Sequence, residues 1–422
     1  MTVTLSIKHG IARFTPADTL QFVTQSAKLQ GMWPRLATAR LRALAQQFPA
    51  VLLLGARQVG KTTLARTTFR GFPYVDLEEP RSKALFLDDP TFQIEARAKP
   101  SLILDEAQSV PEVFAALRGI IDSRRREMSR FILLGSAQPS LVRGVSESLA
   151  GRVGILDLDP LTAAEVSRGR ERRPWEQLWL RGGFPDALRG GDFRDWWEAY
   201  LRTYVERDLP ALGVGADPIL LRRLLTMLAH QQGGVSNTSA LGTALGVSHN
   251  TVRRYIDVLE QTYLVRRLFP YFRNVGKRLV KAPKVYLRDS GLLHHLLNIA
   301  TLEELDSHPV RGASWETFVL EELIRREQVK HPHSRIYFWR TSAGAEIDLV
   351  IERGNERFAV EVKSAHADKP RAIRALEAAA SDIDAQHAFF IDMGTGRTPL
   401  RPRMERRGFT EALDWLPTLD PG

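Results

Sequence analysis

The sequence predicts an α/β protein in which a parallel sheet is covered by helices. Between residues 50 and 158, five short apolar runs alternate with helical stretches: AVLLLG, YVDL, SLILDE, RFILLGS and VGILDL. Alternation of this kind is typical of parallel sheets, because each strand needs a helical crossover to reach the next. A length of 422 residues exceeds one ordinary core, so further domains are expected after this sheet.

Composition narrows the class of protein. Hydrophobic residues make up 44% and charged residues 26% of the chain, which is ordinary for a globular protein. The sequence lacks an 18-residue apolar run and a signal-peptide pattern, so we predict a cytoplasmic protein without a membrane partner. It also lacks cysteine, which excludes disulfides, thiolate metal sites and cysteine nucleophiles.

The sequence GARQVGKTT lies between the apolar run AVLLL and a helical stretch. It fits GxxxxGK[ST], in which glycines let backbone N–H groups face phosphates at the amino terminus of a helix. We therefore predict an ATP site in which Lys61 reaches the β and γ phosphates and Thr62 coordinates Mg²⁺. The predicted nucleotide-binding residues are Gly55, Ala56, Arg57, Gln58, Val59, Gly60, Lys61, Thr62 and Thr63.

Two carboxylates, Asp105 and Glu106, end the apolar run SLILDE. A solvated strand end is the plain interpretation of such a pair. Lys61 of the phosphate loop lies 44 residues before Asp105, and this favours a catalytic role for the two carboxylates. Asp105 is then predicted to hold Mg²⁺ through water, and Glu106 to orient and deprotonate the attacking water.

Two further residues extend the predicted catalytic site. Ser136 ends the run RFILLGS, where its hydroxyl is a candidate contact for the γ phosphate or the attacking water. Arg152, in SLAGRV, is the candidate for an arginine that a neighbouring subunit supplies to stabilise the transition state. A surface arginine is the alternative. If Arg152 acts in the site of a neighbouring subunit, the protein is a homo-oligomer, either a ring or a dimer.

The motifs resemble a widespread bacterial and archaeal group of AAA+-type ATPases. The likeness rests on GARQVGKTTLAR, LILDEAQ, FILLGSAQPSL, SLAGRV, LDPLTAAEV, GGFPDAL and YVERDL, and it covers about residues 33 to 395. It implies a P-loop NTPase (AAA+-like) core, a helical lid, a winged-helix domain and a restriction-endonuclease-like α/β domain of unknown function. By this resemblance, the lysine, threonine, acidic pair, serine and arginine named above match the group's conserved site positions.

The segment TSALGTALGVSHNTVRRYIDVLEQ predicts a helix-turn-helix, with a turn at Gly246 and Ser248 as helix cap. Residues 249 to 288 hold ten Lys or Arg against two acids, so most of the chain's net charge of +10 lies here. We predict DNA contacts through this surface, with subunit packing as the alternative. The candidate residues are Ser248, His249, Asn250, Arg253 and Arg254, and the basic segment LVRRLFPYFRNVGKRLVKAPK would form the wing.

A second acidic set lies near the carboxyl end, with Asp348 in AEIDLVIE, and Glu361 and Lys363 in VEVKS. Strand alternation places Glu361 and Lys363 on one face, where carboxylates and a lysine suit Mg²⁺ and phosphodiester chemistry. Glu316 in the preceding helix is a third candidate acid. The order αβββαβ resembles the PD-(D/E)xK nucleases, although the fold alone does not establish cleavage.

The function predicted from the sequence is an ATP-hydrolysing motor or remodeller that acts on DNA, with ATP and Mg²⁺ as cofactors. An ATP-gated, Mg²⁺-dependent nuclease is one alternative, and a nucleotide-dependent protein switch or scaffold is the other. The predicted divisions are a leader (1–31, disordered or from an upstream start codon), core (32–160), helical lid (161–215), winged helix (216–290), nuclease-like domain (291–400) and tail (401–422).

Overall fold

A computed structural model describes residues 3–7, 10–14, 33–136, 144–145, 147–166, 174–209, 217–272, 280–364 and 370–413. The chain forms two compact units, Met1–Arg35 and Leu36–Gly422. In the first unit, strands β1 (Val3–Ile7) and β2 (Gly10–Phe14) pair antiparallel. The alternating apolar residues of VTLSI are typical of a strand, and a disordered leader over residues 1–31 stays a prediction. The leader's other residues lie outside the described part.

The second unit begins with a five-stranded parallel sheet, which confirms the predicted α/β core. The strand order is β4-β5-β6-β3-β7. Strands that follow one another in sequence are therefore joined by crossover connections, and β3 lies between β6 and β7. Most side chains of these strands are buried, as expected for a sheet covered on both faces. The strands are β3 (Ala50–Gly55), β4 (Tyr74–Asp76), β5 (Leu102–Asp105), β6 (Phe131–Ser136) and β7 (Val153–Asp157).

Alternate residues of β3 enter separate cores. Val51 and Leu53 belong to the core that contains Leu41, whereas Leu52 belongs to the core that contains Leu117. Because successive side chains of a strand point to opposite faces of the sheet, β3 packs against the helices on both faces. The helices are α1 (Ala37–Gln47), α2 (Lys61–Thr68), α3 (Pro80–Asp88), α4 (Pro90–Arg97) and α5 (Glu112–Ser123), with a 3-10 turn at Ala107–Ser109.

Helices rich in aromatic residues follow the sheet. Phe184, Trp197 and Tyr200 pack edge to face, with ring centroids 5.0 to 5.5 Å apart. Burying three large rings gives this small segment a substantial core. Its elements are α6 (Ala163–Val166), α7 (Pro174–Arg181), α8 (Pro185–Leu188), α9 (Phe193–Tyr200) and a π-helical stretch (Leu201–Asp208).

Three helices and two antiparallel strands form the next segment. The turn between its second and third helices contains Gly246, whose φ of +71° favours glycine. The Ser248 side chain caps the third helix by accepting from the Thr251 N–H at 3.1 Å. These elements are α10 (Pro218–His230), α11 (Thr238–Leu245), α12 (His249–Gln261), β8 (Val265–Leu268) and β9 (Lys284–Leu287).

The carboxyl part contains a six-stranded mixed sheet, ordered β10-β11-β12-β13-β15-β14. The first three strands pair antiparallel, and β13 then pairs parallel with β12 and with β15. Its strands are β10 (Arg335–Arg340), β11 (Glu346–Arg353), β12 (Glu356–Val362), β13 (His387–Asp392), β14 (Arg397–Arg401) and β15 (Met404–Gly408). The helices are α13 (Ser290–Leu296), α14 (Leu302–Ser307), α15 (Arg311–Lys330), α16 (Pro370–Asp382) and α17 (Phe409–Ala412).

This sheet continues past residue 400, where the predicted tail begins. β15 pairs in register with β13, so residues 404–408 belong to the sheet. Residues 414–422 of the predicted tail, and 273–279 of the predicted wing, lie outside the described residues. Across the described residues, every helix is too short or too polar to span a bilayer.

Candidate functional site

The phosphate loop joins the end of β3 to the start of α2. Gly60 has a φ of +99°, and a Cβ added to Gly55 would lie 2.4 Å from the Leu158 carbonyl oxygen, so both positions need glycine. Lys61 is 6% exposed, and its Nζ donates to the carbonyls of Gly55 (3.1 Å) and Ala56 (2.9 Å). The ammonium is therefore held inside the loop, where a P-loop lysine meets phosphates.

Three polar strand ends meet at the edge of the sheet beside this loop. β3, β6 and β5 end at Gly55, Ser136 and Asp105. Gly55 and Ser136 are in register, and β6 lies between β3 and β5. The strand order therefore places the buried Ser136 between the loop and the acidic pair. Parallel α/β sheets bind ligands at this carboxyl edge.

The Asp105 carboxylate accepts three hydrogen bonds. Thr62 Oγ1 and Tyr74 OH donate to Oδ2 at 2.6 and 2.9 Å, and the Glu106 N–H donates to Oδ1 at 3.0 Å. The structure thus joins Thr62 to Asp105, as the proposed magnesium site requires. Sequence inspection did not single out Tyr74, because its contact depends on the pairing of β4 with β5.

Glu106 follows β5 in a left-handed conformation, with φ of +48°. Gln108 Nε2 donates to its Oε2 at 2.5 Å. Burial raises the pKa of Glu106, although the Lys61 charge and the Gln108 bond oppose this shift. Burial likewise lowers the pKa of Lys61, against the charges of Glu106 and Asp105. A carboxylate with a raised pKa is a stronger proton acceptor than an ordinary one.

Arg152 lies at the opposite end of the strands from the phosphate loop. It directly precedes β7, whose first residue, Val153, pairs with Ala50 at the start of β3. Five residues of strand span roughly 17 Å, so Arg152 is far from Lys61 of its own chain. Its Nε and Nη2 donate to the Asp122 carboxylate at 2.7 and 2.8 Å.

Two tyrosines near the end of the helical lid are features that sequence inspection missed. Tyr200 and Tyr204 are each 3% exposed, with ring centroids 5.4 Å apart, and neither hydroxyl has a hydrogen-bond partner among the described residues. Burial raises the pKa of Tyr204; the Glu106 charge adds to this shift, and the Arg57 charge opposes it. Tyr204 begins the YVERDL motif, which was the available signal for it.

The candidate DNA-binding residues occupy one end and one face of α12. All five, Ser248, His249, Asn250, Arg253 and Arg254, are exposed. The opposite face, which includes Val252 and Ile256, is buried in the core. The pattern of apolar residues thus leaves the polar and basic face of this helix in contact with solvent.

The carboxyl-terminal candidates come from separate elements: Glu316 from α15, Asp348 from β11, and Glu361 from β12. Asp348 Oδ2 accepts from the Val362 N–H at 2.9 Å, and Lys363 Nζ lies 2.5 Å from Glu361 Oε1. Burial, with neighbouring carboxylates adding to it, raises the pKa of Asp348. The structure therefore brings the predicted acids into one cluster, in which Asp348 is buried and Glu316 and Glu361 are half-buried.

A further lysine enters this cluster from β9. Lys284 Nζ lies 2.5 Å from Glu346 Oε1, 3.5 Å from Glu316 Oε1 and 3.8 Å from Asp348 Oδ1. Burial would lower the pKa of Lys284, but these carboxylates outweigh it and leave the pKa raised. Neither Lys284 nor Glu346 was a predicted site residue, because the contact joins segments far apart in sequence.

Models of three protein families match consecutive parts of the chain. An AAA domain matches residues 47–167, which include the phosphate loop and the acidic pair. Two domains of unknown function, DUF8612 and DUF4143, match residues 172–303 and 311–405.

Two mycobacterial relatives match most of the chain. They are uncharacterized protein Rv2008c of Mycobacterium tuberculosis and uncharacterized protein Mb2031c of Mycobacterium bovis. Each is 40% identical over 371 residues, which are 87% of this chain and 81% of the relative. This chain belongs to the family of these two proteins.

Solved structures with partial similarity include two ATPase-related chains. A Walker-type ATPase of Pyrococcus abyssi is 18% identical, with 63% of this chain and 96% of that chain covered and a TM-score of 0.43. A RuvB variant of Thermotoga maritima is 20% identical, with 55% and 85% covered and a TM-score of 0.29. The family model and the loop together identify an AAA-type P-loop ATPase domain in this chain.

Proposed function

We propose that this family member hydrolyses ATP at the phosphate loop and uses the energy on nucleic acid as an oligomer. The arrangement of Lys61, Asp105 and Glu106 carries the proposal. The lysine is held in the loop, Asp105 is joined to Thr62, and Glu106 is buried with its own partner, Gln108. Because Asp105 and Glu106 have different hydrogen-bond partners, we assign metal binding to Asp105 and proton transfer to Glu106.

Mg²⁺ fits the site formed by Thr62 and Asp105. Their oxygens are 2.6 Å apart and are the hard ligands that this ion prefers, whereas Lys61 donates to backbone carbonyls. Thr62 would hold the ion directly and Asp105 through water. When bound, Mg²⁺ would neutralise charge on the β and γ phosphates.

The side chains supply the remaining chemistry. Glu106 would accept a proton from the attacking water, since its raised pKa favours proton uptake. Gln108 would fix the orientation of Glu106, and Ser136 would orient the water or the γ phosphate from between the loop and the acids. Lys61 would exchange its two carbonyl contacts for phosphate oxygens.

Arg152 serves a neighbouring subunit in this proposal. Its position at the far end of β3 prevents it from reaching the ATP of its own chain, and a partner would meet it half-buried beside Asp122. In the Arg152→Ala variant, we expect turnover to fall by about 1000-fold, the usual contribution of an arginine finger. Asp122→Ala is the matched control, because it removes the ion pair and keeps the arginine.

A subunit-mixing assay distinguishes a role in a neighbour's site from a role within one chain. Arg152→Ala and Lys61→Ala are each expected to turn over ATP far more slowly than the wild type. Mixed oligomers contain interfaces with an intact lysine on one side and an intact arginine on the other, so mixing should restore part of the turnover. If the mixture stays inactive while both variants co-assemble, the proposed role of Arg152 is wrong.

Nucleic acid is the proposed target because of the exposed face of α12. Arg253 and Arg254 lie beside His249 and Asn250 on that face, at the capped start of the helix. Such a surface binds phosphates with strong salt dependence. The winged-helix interpretation of this segment supports the same target.

Contacts also join the ATPase sheet to the segment that carries α12. Tyr263 OH donates to Asp157 Oδ1, and Arg288 Nη2 to Asp159 Oδ1, each at 2.5 Å. Asp157 ends β7, which pairs with β3 beside the phosphate loop. We propose that movement of this sheet edge during the nucleotide cycle reaches α12 through these two bonds.

ATP turnover measured with single-stranded DNA, duplex DNA, RNA and no nucleic acid tests the function. We expect stimulation by at least one nucleic acid, and loss of that stimulation but not of basal turnover in Arg253→Ala/Arg254→Ala. Arg118→Ala, an exposed change on α5, is the control. Basal turnover that no nucleic acid changes would instead support a protein switch, and no turnover would overturn the ATPase.

A further inference from the structure

Lys284 is the first residue of β9 and is only 3% exposed. It belongs to the segment that carries α12, yet its side chain ends among acids from α15 and β11. A buried ammonium is costly unless carboxylates compensate its lost hydration. The acids around Lys284 therefore explain why the fold tolerates a buried ammonium at this position.

Three carboxylates surround the ammonium within 4 Å: Glu346, Glu316 and Asp348. Tyr286 OH, two residues along β9, donates to the same Glu316 oxygen at 2.9 Å. The side chains of Lys284 and Tyr286 on β9 thus both contact the acidic cluster. Lys363 pairs with the remaining acid, Glu361.

The cluster does not fit Mg²⁺ in this conformation. The ion would need carboxylate oxygens about 2.0–2.1 Å away. Lys284 already lies 2.5 to 3.8 Å from oxygens of three of these acids, and a divalent ion added beside it would meet strong repulsion. Among the described residues, no group of three or more His, Asp or Glu side chains is arranged to hold a metal.

We propose that Lys284 is the resident cation of this cluster and fastens β9 to the carboxyl-terminal sheet in place of a divalent metal. The nuclease-like cluster then serves as an ionic latch, and it does not cleave phosphodiesters. This inference goes beyond the proposed ATPase function and stands without it.

Mn²⁺ binding to the full chain, followed by electron paramagnetic resonance without nucleotide, tests the latch directly. An Asp105→Asn background removes the carboxylate that would hold a metal ion through water at the phosphate loop. In that background, we expect Asp348→Asn to bind the same number of Mn²⁺ ions as its parent. A Mn²⁺ ion that binds the parent and is lost on Asp348→Asn would overturn the proposal.

Lys284→Met gives the complementary result. The latch predicts a melting temperature lowered by roughly 5 °C, because three acids lose their cation. Mn²⁺ should restore most of that loss in Lys284→Met and leave the wild type unchanged. Lys281→Met, at an exposed position three residues earlier, is the matched control and should show neither effect.

Plasmid and single-stranded DNA incubated with the wild type and Mn²⁺ provide a test that requires no lysine variant. We expect no cleavage that depends on Asp348 or Lys363. Cleavage abolished by Asp348→Asn would show that the cluster binds a catalytic metal after all. If Lys284→Met fails to fold, this assay and the Asp348→Asn comparison still decide the matter.

Discussion

The phosphate loop and the carboxyl-terminal cluster each combine a buried lysine with buried carboxylates, but their contacts differ. Lys61 donates to two backbone carbonyls, and Asp105 accepts from the hydroxyls of Thr62 and Tyr74. Lys284 instead lies directly on Glu346. The first arrangement keeps carboxylate oxygens beside a hydroxyl ligand, whereas the second neutralises the carboxylates. We therefore propose a metal site for these residue types in the first region and a structural contact in the second.

This difference shows that the contacts of the lysine decide the chemistry of an acidic cluster. Burial lowers the pKa of Lys61, so the fold tolerates its charge at a cost. The carboxylates around Lys284 raise its pKa in spite of burial, so the fold stabilises that charge. Lys61 is thus paired with backbone carbonyls, whereas Lys284 is paired with carboxylates of the protein itself.

The largest expected effect is that of Glu106→Gln. Loss of the proton acceptor should lower turnover by about 1000-fold, within the usual range for general base catalysis. ATP binding should persist, because the loop and Thr62 are untouched. Single-turnover hydrolysis and fluorescent-nucleotide binding measure the two quantities. Glu112→Gln, an exposed change at the start of α5, is the control, and equal losses in both variants would contradict the assignment.

Lys61→Met is expected to lower turnover by about 100-fold, because the charge on the phosphates loses a preorganised partner. Its free energy of unfolding should stay within about 0.5 kcal/mol of the wild type, since the cost of burying the ammonium offsets its two carbonyl contacts. Lys284→Met should behave in the opposite way, and lose about 3 kcal/mol of stability. Urea titration of both variants tests the contrast. Equal destabilisation would remove the distinction between the lysines.

The pH dependence of turnover should report the buried Glu106. A base must be ionised to act, so kcat should fall as the pH drops through its raised pKa, at a pH above the ordinary 4.5. A profile of kcat from pH 4.5 to 9 shows this acid limb. The residual activity of Glu106→Gln should lack it; an unchanged limb in that variant would assign the titration to another group.

The smallest expected effect is that of Tyr74→Phe. Asp105 Oδ2 would lose the 2.9 Å bond and keep its bond from Thr62, a change worth about 1 kcal/mol. The KM for the magnesium complex of ATP should rise about fivefold, with kcat nearly unchanged. Steady-state kinetics at fixed free Mg²⁺ measure both constants. A large loss of kcat instead would give Tyr74 a direct part in the chemistry.

Sequence alone predicted the elements whose chemistry is local. The run LILD became β5, and GARQVGKTT became the loop between β3 and α2, because apolar runs and glycine positions determine such elements directly. Strand alternation also placed Glu361 beside Lys363. These are contacts between neighbours in sequence.

Contacts between distant segments were not predictable in this way. Lys284 meets Glu346 across 62 residues, and Tyr74 meets Asp105 across 31. Neither pair follows a spacing rule, since each depends on how whole strands pack. The 401–422 tail prediction had the same weakness: β15 is polar in sequence, and only its pairing with β13 makes it a strand of the sheet.

The number of metal ions that each chain binds with a non-hydrolysable ATP analogue tests the contrast between the regions most directly. A Mn²⁺ titration should give one tightly bound ion per chain, which Asp105→Asn removes and Asp348→Asn leaves in place. A second tightly bound ion that only Asp348→Asn removes, or a single ion insensitive to Asp105→Asn, would contradict it.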